Sequence, residues 1–174
     1  MSLVKFKAQN HPQQVGVVGA KDNVDDRGTD PGLFAELDAR FHFTLDVAAA
    51  AHNAKCERYF DLDADGLTQS WGGERVWCNP PYSSIEPWVA KAWDEWHEPD
   101  PRCRPSLIVM LLPANRTEQG WWQDYVEPFR ERSFASLRVE FLRGRRRFVR
   151  ANATEIGPNE RPPFGVCLLI WRER

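Results

Sequence analysis

The stretch Ser106-Leu107-Ile108-Val109-Met110-Leu111-Leu112 (SLIVMLL) is apolar at odd and even positions alike. A strand with one wet face alternates apolar with polar residues, whereas a strand buried on both faces reads as a continuous apolar run. The stretch therefore predicts a central strand in a sheet covered on both sides. Upstream, Glu98-Pro99-Asp100-Pro101-Arg102 interrupts the chain, because proline cannot continue a helix. Before it, Ile85, Val89, Ala92 and Trp96 recur at helical spacing. Arg75 to Cys78 and Phe43 to Ala49 (FTLDVAA) read as earlier strands. A helix is expected from Asp30, which can cap it, with Pro31 in the first turn and Leu33, Leu37 and Phe41 on one face. Downstream lie a stripe of Trp121, Tyr125 and Phe129, then strand-like runs at Leu137 to Leu142, Arg147 to Val149 and Phe164 to Trp171. Strands alternating with helices predict an α/β domain with a mostly parallel sheet flanked by helices.

The 174 residues suit one domain, read as 27–174, after a polar lead-in over 1–26. The net charge of −2 excludes nothing, but its distribution is uneven. Asp22 to Asp65 holds eleven acids against four bases, and Arg130 to Arg150 holds eight arginines against two acids. The basic half fits either a polyanion such as nucleic acid or a solvated face. The four cysteines show no paired metal-ligand spacing, and His52 with Cys56 supplies only two ligands, so no metal is expected. Cys78 and Cys167 lie in apolar runs and read as small buried hydrophobes. No apolar run reaches the roughly 20 residues of a membrane span, and the N-terminus lacks the apolar core of a signal peptide. A cytoplasmic, reducing setting is expected.

In open α/β sheets, ligands bind beyond the carboxyl ends of the strands, where the strand order reverses. The residues following the successive strands are Asp46-Val47-Ala48-Ala49, Asn79-Pro80-Pro81-Tyr82 and Pro113-Ala114-Asn115-Arg116. The second of these carries chemistry. Pro80 fixes its own φ, and Pro81 holds Pro80 extended. The Asn79 side-chain carbonyl and the Pro80 backbone carbonyl can then converge on one planar amino group, and Tyr82 can cover a flat conjugated ring. Such an amine is a weak nucleophile, its lone pair being delocalised. Two fixed acceptors favour a pyramidal nitrogen and stabilise the positive charge that develops as it attacks. A plain turn after a strand fits the same four residues.

With its surroundings, FTLDVAAAAHNAKCERYFDLDADGLTQSWGGERVWCNPPYS, then VMLLPANRTEQGWW and FLRGRRRF, the chain resembles the phage and prophage DNA N-6-adenine methyltransferase family (Dam-like) from about Thr29 to Trp171. The resemblance implies a Rossmann-like fold using S-adenosylmethionine, with DNA as partner, an adenine flipped into the crevice and a bacterial host cell as the setting. By the same resemblance, Asp46 and Ala48 match the first cofactor motif, and Thr29 and Pro31 an upstream motif beside the methionine end. Asp65 matches the acid near the cofactor's adenine, and Asn79, Pro80, Pro81 and Tyr82 the catalytic loop. The chain departs from the wider methyltransferase pattern in carrying Ala48 to Ala51 where many members have glycines. Glu57 and Asp61 are both candidates to hold the cofactor ribose, and both also read as plain surface acids. Arg143, Arg145, Arg146 and Arg147 are expected to contact the DNA backbone from a hairpin turning at Gly144, with Arg116 as an addition from the crevice loop. Methylation of a protein glutamine or of RNA adenine, and a silent DNA-binding relative, stay as alternatives. Only short loops separate the motifs, so sequence specificity is expected from those loops, from a partner subunit such as a second copy in a homo-oligomer, or hardly at all.

Overall fold

The structure, a computed structural model, describes Asp25, residues 28–130, Arg132, and residues 136–149 and 162–173. The rest of the lead-in and Arg150 of the basic run lie outside the described residues. In chain order the elements are β1 (Gly28–Thr29), α1 (Pro31–Phe41), β2 (Leu45–Asp46), β3 (Arg58–Tyr59), β4 (Arg75–Cys78), α2 (Glu86–Trp96), β5 (Leu107–Pro113), α3 (Gly120–Tyr125), β6 (Leu137–Phe141), β7 (Phe148–Val149) and β8 (Val166–Arg172).

β5 is buried along its whole length, as its composition requires. Its side chains alternate between two cores. Leu107, Val109 and Leu111 join Trp77, Leu168 and Ile170 under Leu33, Leu37 and Phe41 of α1. Ile108, Met110 and Leu112 join Val76, Leu169 and Trp171 against Val89, Ala92, Trp93 and Trp96 of α2 and Trp121 and Trp122 of α3. Each such aliphatic side chain removed from water contributes about 1.5–3 kcal/mol before chain entropy is subtracted. The result is helices on both faces of one sheet. Helix α1 starts where its residues dictate: the Asp30 carboxylate accepts the Leu33 N–H at 2.9 Å, and Pro31 occupies the first turn. It stops at His42 in the left-handed conformation, φ 52°.

The six-stranded sheet has the order β3-β2-β4-β5-β8-β6. β3, β2, β4 and β5 pair in parallel, but β8 is antiparallel to both β5 and β6. The sheet is therefore mixed, with β8 alone running against the other five strands, and the expectation of a mostly parallel sheet holds in part. The reason lies in the connection. Phe141, at the end of β6, sits opposite Cys167 near the start of β8, so the chain leaves and re-enters the sheet at one edge. A parallel neighbour needs a crossover back to the opposite edge. The expected hairpin at Gly144 is likewise absent. Gly144 does turn, with φ 74°. The strands on either side pair elsewhere, β6 with β8 and β7 with β1 in a separate two-stranded ribbon.

Candidate active site

β2, β4 and β5 are neighbours and parallel, so Asp46, Asn79 and the residues after Pro113 emerge at one edge of the sheet. From β2 the chain moves outward to β3 and then returns to β4 on the other side of β2. The strand order therefore reverses between β2 and β4, which is where an open α/β sheet leaves a crevice. A polar pocket occupies that place, lined by Asp25, Gly28, Thr29, Asp46, Ala48, Asn53, Lys55, Trp77 and Asn79.

Asp46 organises one wall. Its side chain is buried, and its two carboxylate oxygens accept the backbone N–H groups of Ala48 (3.3 Å) and Lys55 (3.0 Å). One carboxylate thus ties both ends of the loop that follows β2. Burial pushes the Asp46 carboxyl up to about 6, against the two N–H bonds, which favour the charged form. Within the loop, Asn53 Oδ1 accepts the Ala50 N–H at 2.7 Å. Alanines at 48 to 51 are accommodated because the turn is closed by these side chains. The glycine that close approach requires lies elsewhere: a Cβ on Gly66 would stand 2.1 Å from the Val47 carbonyl oxygen. The turn Asp65-Gly66 therefore packs on the backbone just after Asp46. It is held by the Trp71 indole, which donates to the Gly66 carbonyl at 2.9 Å, and by Glu95 of α2, which accepts the Trp71 N–H.

Asn79 lines the pocket from the other side, and the Pro80-Pro81-Tyr82 corner leads away from it. Tyr82 donates its hydroxyl to the Leu111 carbonyl at 3.2 Å, and its ring meets Phe148 edge-on (6.0 Å) and Phe164 (6.1 Å). Burial pushes the Tyr82 phenol well above its usual range, so this group is no base at neutral pH. Arg116 donates from Nη1 to the Tyr82 carbonyl, binding the loop after β5 to the corner. Asp25 accepts the Ser83 N–H at 3.0 Å, so a residue from the stretch read as lead-in closes over the same corner.

The structure thus brings Thr29, Asp46, Ala48 and Asn79 together. Pro31 lies outside the pocket lining, at the exposed start of α1. Asp65 is exposed, with φ 51°, and accepts the Leu67 N–H. Asp61 closes the preceding turn by accepting the Ala64 N–H, and Glu57 is exposed. Arg143 and Arg145 are exposed, while Arg146 and Arg147 are half-buried and the Arg146 Nε is buried without a hydrogen bond among the described residues. None of the four lies in a strand.

Sequence reasoning missed Asp25, Gly28, Asn53, Lys55 and Trp77. It also missed β1 and β3, whose paired segments are two residues each. The available signal for Lys55 was a cation in an otherwise acidic run shortly after Asp46. Among the described residues no cluster of His, Cys, Asp and Glu could hold a metal ion, and no helix is long and apolar enough to cross a membrane.

A family model described as DNA N-6-adenine-methyltransferase (Dam) matches residues 19–174. A protein of Escherichia phage T1 named DNA N-6-adenine-methyltransferase is 33% identical over 94 residues, covering 53% of this chain and 37% of that protein. A protein of the same name from Haemophilus phage HP1 is 37% identical over 59 residues, 34% of each chain. The chain spans about a third of the length of these curated relatives. No solved structure matches. With the family match running from the start of the pocket's residues to the final strand, this chain belongs to the DNA N-6-adenine-methyltransferase (Dam) family.

Proposed function

We propose that this protein transfers a methyl group from S-adenosylmethionine to the N6 amino group of adenine in DNA. The observation that carries the reading is the meeting of Asp46 and Asn79 across the switch point of the sheet, in one polar pocket. The donor set fits S-adenosylmethionine. Asp25 and Asp46 offer carboxylates to its cationic centres. The Thr29 hydroxyl is buried with no hydrogen bond among the described residues, as a group awaiting a polar ligand would be. Thr29, Asp46 and Ala48 would hold the cofactor, with Asp65 beside its adenine on the neighbouring turn. When bound, S-adenosylmethionine supplies an electrophilic methyl group on a cationic sulfur.

The chain's own residues prepare the nucleophile. Asn79 Oδ1 and the Pro80 carbonyl accept the two N–H bonds of the adenine amine, and the charge that builds on its nitrogen falls beside these acceptors. Pro80 and Pro81 keep that geometry stiff. The Tyr82 ring stacks on the base, which must leave the duplex to reach the crevice. The Tyr82 hydroxyl has a structural task, because it is committed to Leu111. Exposed Arg143 and Arg145 meet the DNA backbone, with Arg146 and Arg147 beside them and Arg116 acting from the crevice loop.

The parallel half of the sheet serves as the Rossmann-like part of a minimal methyltransferase domain over 27–174, joined by Asp25 from the lead-in over 1–26. Its work on DNA places the protein in the cytoplasm of a bacterial host cell. The test is incubation with methyl-labelled S-adenosylmethionine and a mixture of DNA, RNA and protein, followed by separation. Label recovered from DNA as N6-methyladenine is the expected result. Label in protein, as methylglutamine, or in RNA would replace the substrate. Absence of label despite donor binding would leave a silent relative.

A further inference from the structure

Lys55 gives its backbone N–H to Asp46, a bond that leaves its ammonium unused. The residue is half-buried and lines the pocket with Thr29, Asp46 and Asn79, and its side chain makes no ion pair among the described residues. Buried cations are ordinarily paired, because an uncompensated charge away from water is costly. Burial pushes the Lys55 ammonium below its usual range, while Asp46 and Asp30 act at a distance to hold its proton. The pocket lining therefore carries two carboxylates, Asp25 and Asp46, and a single cation.

The methionine end of S-adenosylmethionine has two cationic centres, the sulfonium and the α-ammonium, and one anionic group, the α-carboxylate. The two acids suit the cations. A lysine would repel both of them unless it faced the carboxylate. Resting on the cofactor reading proposed above, we infer that Lys55 is a binding residue whose ammonium pairs with the α-carboxylate of the methyl donor and so fixes which way its methionine end lies. Thr29 and Asn53, on the same lining, would flank that carboxylate.

The inference is tested by calorimetric binding of S-adenosylmethionine and of its decarboxylated analogue, which lacks only the α-carboxylate. Wild-type protein should bind the analogue about tenfold to hundredfold more weakly, the range for a charge-assisted hydrogen bond. The Lys55→Met variant should lose affinity for S-adenosylmethionine by a similar factor and bind the two ligands equally. Lys55→Arg, which keeps the charge, should keep the preference. The Asp46 bond uses the Lys55 backbone N–H, so neither substitution removes it. Should the methionine variant fail to fold, the wild-type comparison still decides: equal binding of both ligands overturns the inference. A Lys55→Met variant that still prefers the carboxylate overturns it as well. Wild-type protein that binds neither ligand would overturn the cofactor reading and this inference together, an outcome distinct from the previous two.

Discussion

The carboxylate of Asp46 should leave a measurable trace in the pH dependence of folding. Its folded value is pushed up to about 6 from an ordinary 3.8, with burial the main cause. Between those values the native state holds more protons than the unfolded chain, so stability falls as pH rises and levels off above the folded value. At 1.36 kcal/mol per pH unit, the whole effect is about 3 kcal/mol. About 2 kcal/mol of it falls between about pH 4.5 and about pH 7.5. Asp46→Asn removes the titration. Its amide keeps one acceptor but turns an NH2 toward the Ala48 or Lys55 N–H, a change costing about 1–3 kcal/mol. Whatever that offset, the stability of the variant relative to the wild type should rise by about 2 kcal/mol from about pH 4.5 to about pH 7.5. The assay is urea unfolding of both proteins across that range, with the variant subtracting every other titrating group. Parallel profiles for the two proteins would refute the reasoning, because Asp46 would then titrate alike in the folded and unfolded chain.

Four further outcomes are expected. Asn79→Ala should lower the methylation rate on the order of 10² to 10³-fold, the usual effect of losing one preorganised charge-stabilising group, with donor affinity changed only a few-fold by calorimetry. Tyr82→Phe should cost about 1 kcal/mol in urea unfolding through the lost bond to Leu111; Tyr82→Ala should reduce methylation further, since the ring's stacking on a base is worth roughly 1–3 kcal/mol. Replacing exposed Arg143 and Arg145 with Gln should weaken binding to all duplexes alike and flatten log affinity against log salt by up to about 1.8, or 0.9 per lost phosphate contact. Arg116→Gln, acting through the Tyr82 carbonyl, should slow methylation with a smaller change of salt slope than the double variant.

Much of this arrangement was legible in local patterns. The α1 start followed from Asp30 and Pro31, and its buried face from Leu33, Leu37 and Phe41. The stripe of Ile85, Val89, Ala92 and Trp96 is buried as its spacing implied. The loops after β2, β4 and β5 emerge at one edge because the three strands are parallel neighbours, which the strand rule anticipates, and the first two of them line one pocket. β3 escaped notice because two residues with an exposed Arg58 have no detectable period; its pairing comes from β2, which supplies partners at Leu45 and Asp46.

What the sequence by itself determined was everything set by neighbours along the chain: the apolar β5, the capped α1, the stiff Asn79-Pro80-Pro81-Tyr82 corner and the order of motifs that marks the family. What only the tertiary structure decided was which distant groups meet. The direction of β8 depends on the edge at which the chain returns after β6. The fit of Gly66 depends on the Val47 carbonyl, and the commitment of Arg116 on the Tyr82 carbonyl. The isolation of the Lys55 charge depends on how a loop folds back onto Asp46. Backbone preference and periodicity are local energies that a short window carries. Burial, pairing and charge environment are sums over residues far apart in the chain, and they take values only once the sheet has assembled.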